Sequence, residues 1–292
     1  MLEHGADVNA RDEDQSSPLH IAAHYGTAKV ARVLLEHRAD VNALNDDQSI
    51  PLHIAARCGT VEVARVLLEH GADVNARDEG QSTPLHMATH YGTAKVARML
   101  LEHGADVNVR SADHFTPLDI AAHTGTAKVA RVLLEHRADV NARSKDYSTP
   151  LHIAAHSGTA KVARVLLEHG ADVNARSKDY STLLHRVAQR GNVEVVRVLH
   201  EHWADVNARD ELEYQSTSLH IAAHYGTAKV VRVLLEHGAD VNARSKDYST
   251  LLHRAAQHGN VEAVEVVRVL LEHWADVNAL DDDQSSPLHI AA

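Results

Sequence analysis

Ser148-Thr149-Pro150-Leu151-His152-Ile153-Ala154-Ala155 is a phrase that the chain writes nine times with small changes. Its leucine falls at Leu19, Leu52, Leu85, Leu118, Leu151, Leu184, Leu219, Leu252 and Leu288. The first five steps are each 33 residues and the last three are 35, 33 and 36. A fixed period of this size outranks every other signal, because it makes one supersecondary unit the building block of the whole chain.

Around the phrase, one unit reads as two helices and a turn. Thr149 suits an N-cap and Pro150 the first helical position, where a missing N–H leaves nothing unsatisfied. All six prolines hold that place: Pro18, Pro51, Pro84, Pro117, Pro150 and Pro287. Leu151, Ala154 and Ala155 give a narrow apolar face at i, i+3, i+4. Gly158 ends this helix, and eight of the 14 glycines stand at its position. Thr159 is expected to cap a second helix running to about His169. There Val162, Val165 and Leu166 form one apolar stripe and Ala163 and Leu167 another. Lys161, Arg164 and Glu168 share the only polar line. A helix wet along one line must be packed on both flanks. One unit cannot supply both, so copies must stack.

These residues resemble the ankyrin repeat: Thr-Pro-Leu-His-x-Ala-Ala, a glycine, then Val-x-x-Leu-Leu-x-x-Gly-Ala-Asp-Val-Asn-Ala, at a 33-residue period. The resemblance implies an all-α solenoid of stacked antiparallel helix pairs. It also implies projecting β-hairpin or loop fingers, and a concave face built from fingers and first helices. We divide the chain into full repeats 11–43, 44–76, 77–109, 110–142, 143–175, 176–208, 209–243 and 244–279, with partial units 1–10 and 280–292, in a single array. Neither terminal unit reads as a polar cap, so early hydrogen exchange is expected at both ends.

Composition narrows the function. A net charge of −11 over 292 residues argues against a nucleic-acid backbone as main partner. No apolar run reaches the roughly 18 residues of a membrane span. The single cysteine, Cys58, forms no intrachain disulfide; with no secretory leader visible, this fits a reducing, cytoplasmic setting. No His-Glu-x-x-His, Cys-x-x-Cys, Gly-x-Ser-x-Gly or phosphate-binding glycine loop is present.

The 25 histidines are sorted by the period. Eight follow the leucine of the phrase: His20, His53, His86, His152, His185, His220, His253 and His289. Nine close the second helix: His4, His37, His70, His103, His136, His169, His202, His237 and His273. Five stand one turn after the first group: His24, His90, His123, His156 and His224. The resemblance implies that the first group bonds the capping hydroxyl and a neighbouring repeat's backbone. Pairs such as His20/His24 have metal-ligand spacing, but a buried first member leaves no metal site. Buried neutral histidines make acid destabilising, so stability should fall below roughly pH 6.5.

The period breaks beyond residue 175. Repeat 209–243 carries two extra residues near Asp210–Tyr214, and repeat 244–279 carries three near Ala263. Three residues turn a helix face by about 300°, so a bulged loop or an overlong helix is expected there. Proline gives way to Leu183, Ser218 and Leu251. Ile50 replaces the capping threonine. Arg38, Arg137, Trp203 and Trp274 stand where the second helix should be followed by glycine. The second half is therefore expected to be less regular.

Candidate partner-binding residues are the aromatics. Tyr147, Tyr180, Tyr214 and Tyr248 fall at finger tips, and Tyr25, Tyr91 and Tyr225 at first-helix ends, beside His24, His123, His156 and His224. Tyrosine brings contact area and a polar tip at little entropic cost. Finger carboxylates, among them Asp14, Asp46, Asp47, Asp113 and Asp146, give an acidic margin suited to a basic partner surface. The reading is a non-catalytic scaffold or adaptor, a monomer without cofactor, that binds other proteins on the concave face. The alternative is the targeting module of a larger protein or effector. The resemblance also marks Asn42, Asn75 and Asn174 as positions hydroxylated in other ankyrin proteins of animal cells.

Overall fold

The computed structural model describes residues 6–145, 147–178, 181–211, 215–257 and 261–291. His4, Asp146, Tyr180 and Tyr214 lie outside them. The chain forms two compact units, Met1–Val140 and Asn141–Ala292. The first holds α1 (Pro18–Tyr25), α2 (Ala28–Glu36), α3 (Pro51–Cys58), α4 (Val61–Glu69), α5 (Pro84–His90), α6 (Ala94–Glu102), α7 (Pro117–Thr124) and α8 (Ala127–Glu135). The second holds α9 (Pro150–Ser157), α10 (Ala160–Glu168), α11 (Leu183–Arg190), α12 (Val193–Glu201), α13 (Ser218–His224), α14 (Ala228–Glu236), α15 (Leu251–Ala256), α16 (Val261–Glu272) and α17 (Pro287–Ala291). No strand is present among the described residues; the fingers are turns, two of them closed by isolated antiparallel bridges, Arg176 to Thr182 and Arg209 to Thr217.

In each unit the first helices pack in one row and the second helices in another. The leucine of every described phrase from Leu19 to Leu252 is buried, as are Val63, Ala64 and Leu67 and their equivalents from repeat 77–109 to repeat 209–243, whereas Val30 of the first repeat is 50% exposed. Each buried leucine contributes about 2 kcal/mol. Lys161, Arg164 and Glu168 stay exposed, as the single polar line requires.

Small residues close the joints. Gly26 and Gly59 have φ of 71° and 73°, and a Cβ on either would come within 3.1 and 3.0 Å of the next repeat's Thr60 and Thr93. Those threonines correct one expectation. The threonine before each second helix accepts no capping bond. Its hydroxyl instead donates backwards, from Thr60 to Ala23 O (2.9 Å) and from Thr93 to Ala56 O (2.7 Å). It thereby satisfies a carbonyl at the end of the previous first helix, which a helix terminus leaves unpaired. Asn192 does the same toward Ala155 O at 3.1 Å.

A second ladder runs along the base of the fingers. Asn42 Oδ1 accepts from the N–H of Asp73, Asn75 from Asp106 and Asn174 from Asp205, at 2.9, 2.9 and 3.2 Å. Arg32 to Glu69, Arg98 to Glu135, Arg164 to Glu201 and Arg232 to Glu272 link successive second helices. All are exposed pairs, worth at most about 1 kcal/mol each.

The irregularities resolve simply. In the long finger the closing bond runs from Asp210 N to Ser216 O, against Ser144 N to Ser148 O in a regular one. The two extra residues thus sit inside the same closure. Helix α16 is the overlong alternative: 12 residues against nine in α14. Its downstream register is kept, with Val266, Val269 and Leu270 buried, whereas Val264 is 59% exposed. Two of the lost prolines are no lesion, since Leu183 and Leu251 are wholly buried at the same place. Arg38, Arg137, Trp203 and Trp274 hold the left-handed conformation of the missing glycine, with φ of 64–66°. Each costs on the order of 1 kcal/mol.

Candidate partner-binding surface

The histidine of the phrase fixes the floor on which the surface is built. His20 Nδ1 lies 3.1 Å from Ser17 N and 2.9 Å from Ser17 Oγ, and its Nε2 lies 2.9 Å from Ser49 O. An amide N–H can only donate and a carbonyl can only accept. Nδ1 is therefore the acceptor and Nε2 carries the proton, a neutral tautomer dictated by its partners. His86 repeats this with Thr83 and Phe115 O, and His220 with Thr217 and Ser249 O. At Ile50 the hydroxyl is lost but the backbone bond to His53 Nδ1 survives at 3.2 Å. Burial lowers the pKa of His20, His53 and His86 below the ordinary value, and that of His220 to about 4. Both nitrogens being engaged, the first histidine of the pairs His20/His24, His86/His90 and His220/His224 has no lone pair for a metal. No group of three or more metal-ligating side chains occurs among the described residues.

Six of the histidines ending second helices have the opposite tautomer. Nδ1 of His37, His70, His103, His136, His169 and His273 lies 2.8–2.9 Å from the carbonyl four residues back. Here Nδ1 must donate, so these rings cap helix C-termini.

Asp119 occupies the phrase histidine's place in repeat 110–142. Its Oδ2 accepts from Thr116 N at 3.0 Å and from Thr116 Oγ1 at 2.8 Å. Burial raises its pKa.

At the first-helix ends, imidazole and phenol rings meet edge to face. His24–Tyr25, His90–Tyr91 and His224–Tyr225 have centroids 4.9, 4.9 and 5.0 Å apart. Gln189 Nε2 donates to the Tyr225 hydroxyl at 3.0 Å. His156 Nε2 lies 3.0 Å from Arg190, and Cys58 Sγ 3.5 Å from His24 Nδ1. His123 and His156 are exposed and His224 is half-buried.

At the finger tips one residue per turn is left-handed. Gln15, Gln48, Gln81, His114, Tyr147, Gln215, Tyr248 and Gln284 have φ between 47° and 65°. In the long finger this residue is Gln215. Successive tips are joined by backbone bonds, Asp46 N to Asp14 O, Glu79 N to Asp47 O and Ala112 N to Gly80 O, at 3.0–3.2 Å. Tyr25, Tyr91, Tyr147, Tyr225 and Tyr248 are 51–73% exposed.

Two adjoining hollows of about 360 and 300 Å³ lie between fingers and first helices in Met1–Val140. The first joins Asp14, Asp46 and Asp47 to Ile21, His24 and Ile54. The second joins Asp47 and Glu79 to Ile54, Met87 and Tyr91. Asp47, Ile54 and Arg57 are common to both. Sequence reasoning named Asp14, Asp46 and Asp47 but missed Glu79, Ile21, Ile54 and Met87. The available signal was an apolar residue at the variable position of the phrase, off the stripe that faces the core. The Arg11 guanidinium donates to Gln15 O and Leu44 O, and that of Arg77 to Gln81 O and Arg110 O. Their charge is thereby held against finger carbonyls. Trp203 and Trp274, at second-helix ends, are 89% and 88% exposed. No described helix is long and apolar enough to cross a membrane.

A family model described as ankyrin repeats (3 copies) matches residues 1–78, 78–144, 110–177, 151–245 and 219–292. Among solved structures, the human ASB11 ankyrin repeat domain is similar at 29% identity and a TM-score of 0.68, over 77% of this chain and 99% of that one. The ankyrin repeat domain of Bcl-3, of the IkappaB protein family, is similar at 29% identity and a TM-score of 0.64, over 72% of this chain and 94% of that one. No curated protein matches.

Proposed function

Because the chain belongs to the ankyrin-repeat family, whose domains generally mediate protein–protein interaction, we propose that it binds partner proteins across its finger tips and first-helix ends. The chain acts as a non-catalytic scaffold. The observation that carries this reading is the hollow surface itself, where the exposed Tyr91 and apolar side chains stand beside finger carboxylates. Such a surface offers hot-spot area with a charged rim. A partner with a basic face complements it. Tyr147 adds to the tip by stacking under Arg143, whose guanidinium carbon lies 5.9 Å from the ring centroid.

The test is affinity capture with the full chain, then with Tyr25, Tyr91, Tyr147 and Tyr248 changed singly to Ala. All four are exposed, so folding is retained. Loss of about tenfold in affinity for at least one is expected, a truncation cost near 1.4 kcal/mol. Partners retained at unchanged affinity by all four variants would remove the basis for this surface.

A further inference from the structure

We infer that the paired hollows of Met1–Val140 receive a basic polyproline II segment, with one Lys or Arg to each repeat. The inference rests on the partner-binding reading and adds to it the partner's chemistry and register.

Charge comes first. Asp14, Asp46, Asp47 and Glu79 line the hollows, and among the described residues none of the four makes an ion pair. The guanidinium lining both hollows is that of Arg57, which stands on the helix side. The Arg11 and Arg77 guanidinium groups are held by finger carbonyls. A ligand's cations are thus drawn to the finger wall and kept from the helix wall. Its uncharged atoms meet Ile21, Ile54, Met87 and Tyr91.

Register follows from the repeat. Neighbouring packed helices lie about 8–10 Å apart, so equivalent carboxylates recur at that interval. A polyproline II chain has three residues per turn and rises about 3.1 Å per residue, which returns a side chain to the same face every ~9 Å. A β-strand rises about 3.3 Å per residue and alternates faces, so its same-face interval is ~6.6 Å or ~13 Å. An α-helix returns a side chain to one face about every 5.4 Å, which does not match that interval. Proline also suits the apolar floor and enters with little entropy left to lose.

The experiment measures fluorescence anisotropy of labelled peptides with the full chain at low salt. One peptide carries four tandem Lys-Pro-Pro triplets. A second has the same composition with its lysines contiguous, and a third places four lysines at every second residue. The triplet peptide should bind at least about threefold tighter than either control, and weaken as salt is added. Asp46→Asn combined with Asp47→Asn should weaken it about tenfold, and Glu79→Gln about threefold. Equal binding of all three peptides overturns the register. Unchanged binding to the carboxylate variants overturns the site. If those variants are silent while Tyr91→Ala or Tyr147→Ala still weakens partner capture, this inference fails and the broader reading stands. If both sets are silent, both fail.

Discussion

The fingers tipped by Gln15, Gln48 and Gln81 in Met1–Val140 and those tipped by Tyr147 and Tyr248 in Asn141–Ala292 share one turn and carry opposite chemistry. The left-handed tip has φ of 56–58° at Gln15, Gln48 and Gln81, and 56° at Tyr147 and Tyr248. Two positions earlier, Glu13, Asp46 and Glu79 in the first unit correspond to Lys145, Lys178 and Lys246 in the second. Backbone closure is the same in both, from Asn45 N to Ser49 O and from Ser245 N to Ser249 O. Charge and ring at the tip are therefore not what the turn requires. None of the eight described left-handed tips is glycine, although glycine would relieve the strain. Strain retained at an exposed turn points to side chains kept for contact. On the proposed partner-binding reading, the fingers tipped by Gln15, Gln48 and Gln81 offer carboxylates to a partner, and those tipped by Tyr147 and Tyr248 offer lysines.

The largest effects test whether the two units differ below the surface as they do on it. Leu100→Ala and Leu234→Ala remove side chains that are 0% and 1% exposed. Each should cost about 2–5 kcal/mol in urea unfolding. A clearly smaller loss at Leu234 would mean that the second unit is less tightly packed.

Acid comes next. His220 is neutral and engaged when folded, with its pKa lowered to about 4 by burial. Its contribution is complete above the unfolded value near 6.5 and is lost as pH falls from there to about 4. Roughly 2.5 pKa units correspond to on the order of 3 kcal/mol. Asp119, with its pKa raised, has the reverse sign: its contribution is complete in acid and lost as pH rises through the folded value. Urea midpoints from pH 7.5 to 4.5 should fall, less steeply in His220→Gln, while Asp119→Asn should be stabilised at pH 7. A midpoint flat across that range would contradict the tautomer argument.

Smaller effects bear on the tips. Gln48→Gly and Tyr147→Gly should each raise stability by about 0.5–1 kcal/mol, because the left-handed penalty disappears. Tyr147→Gly should at the same time weaken partner capture. A fall in melting temperature at both sites would show that the side chains support the turn after all. The least effect is expected at Arg98→Gln, which breaks an exposed pair to Glu135. Thermal unfolding should register less than about 1 kcal/mol.

Much of this was legible without coordinates. Helix bounds, buried leucines, and left-handed Arg38, Arg137, Trp203 and Trp274 all follow from the period and from what a missing glycine demands. The burial of Leu183 and Leu251 was not foreseen, since a proline lost from a cap looks the same in sequence whether or not a leucine buries itself there. The threonine before each second helix was misjudged because an N-cap residue and a donor to the preceding repeat share one identity. The aliphatic floor of the hollows went unseen because Ile21, Ile54 and Met87 lie off the stripe that packs the core.

By itself the chain's text determined the stacking unit and its cores, because burial of a periodic apolar pattern has one solution when no unit can cover its own flanks. Only the tertiary structure decided which nitrogen of each histidine carries the proton, which direction each threonine hydroxyl points, and which carboxylates meet across neighbouring fingers. Those depend on partners 29 to 37 residues away, and hydrogen-bond direction is set by the partner, whose placement no local pattern encodes.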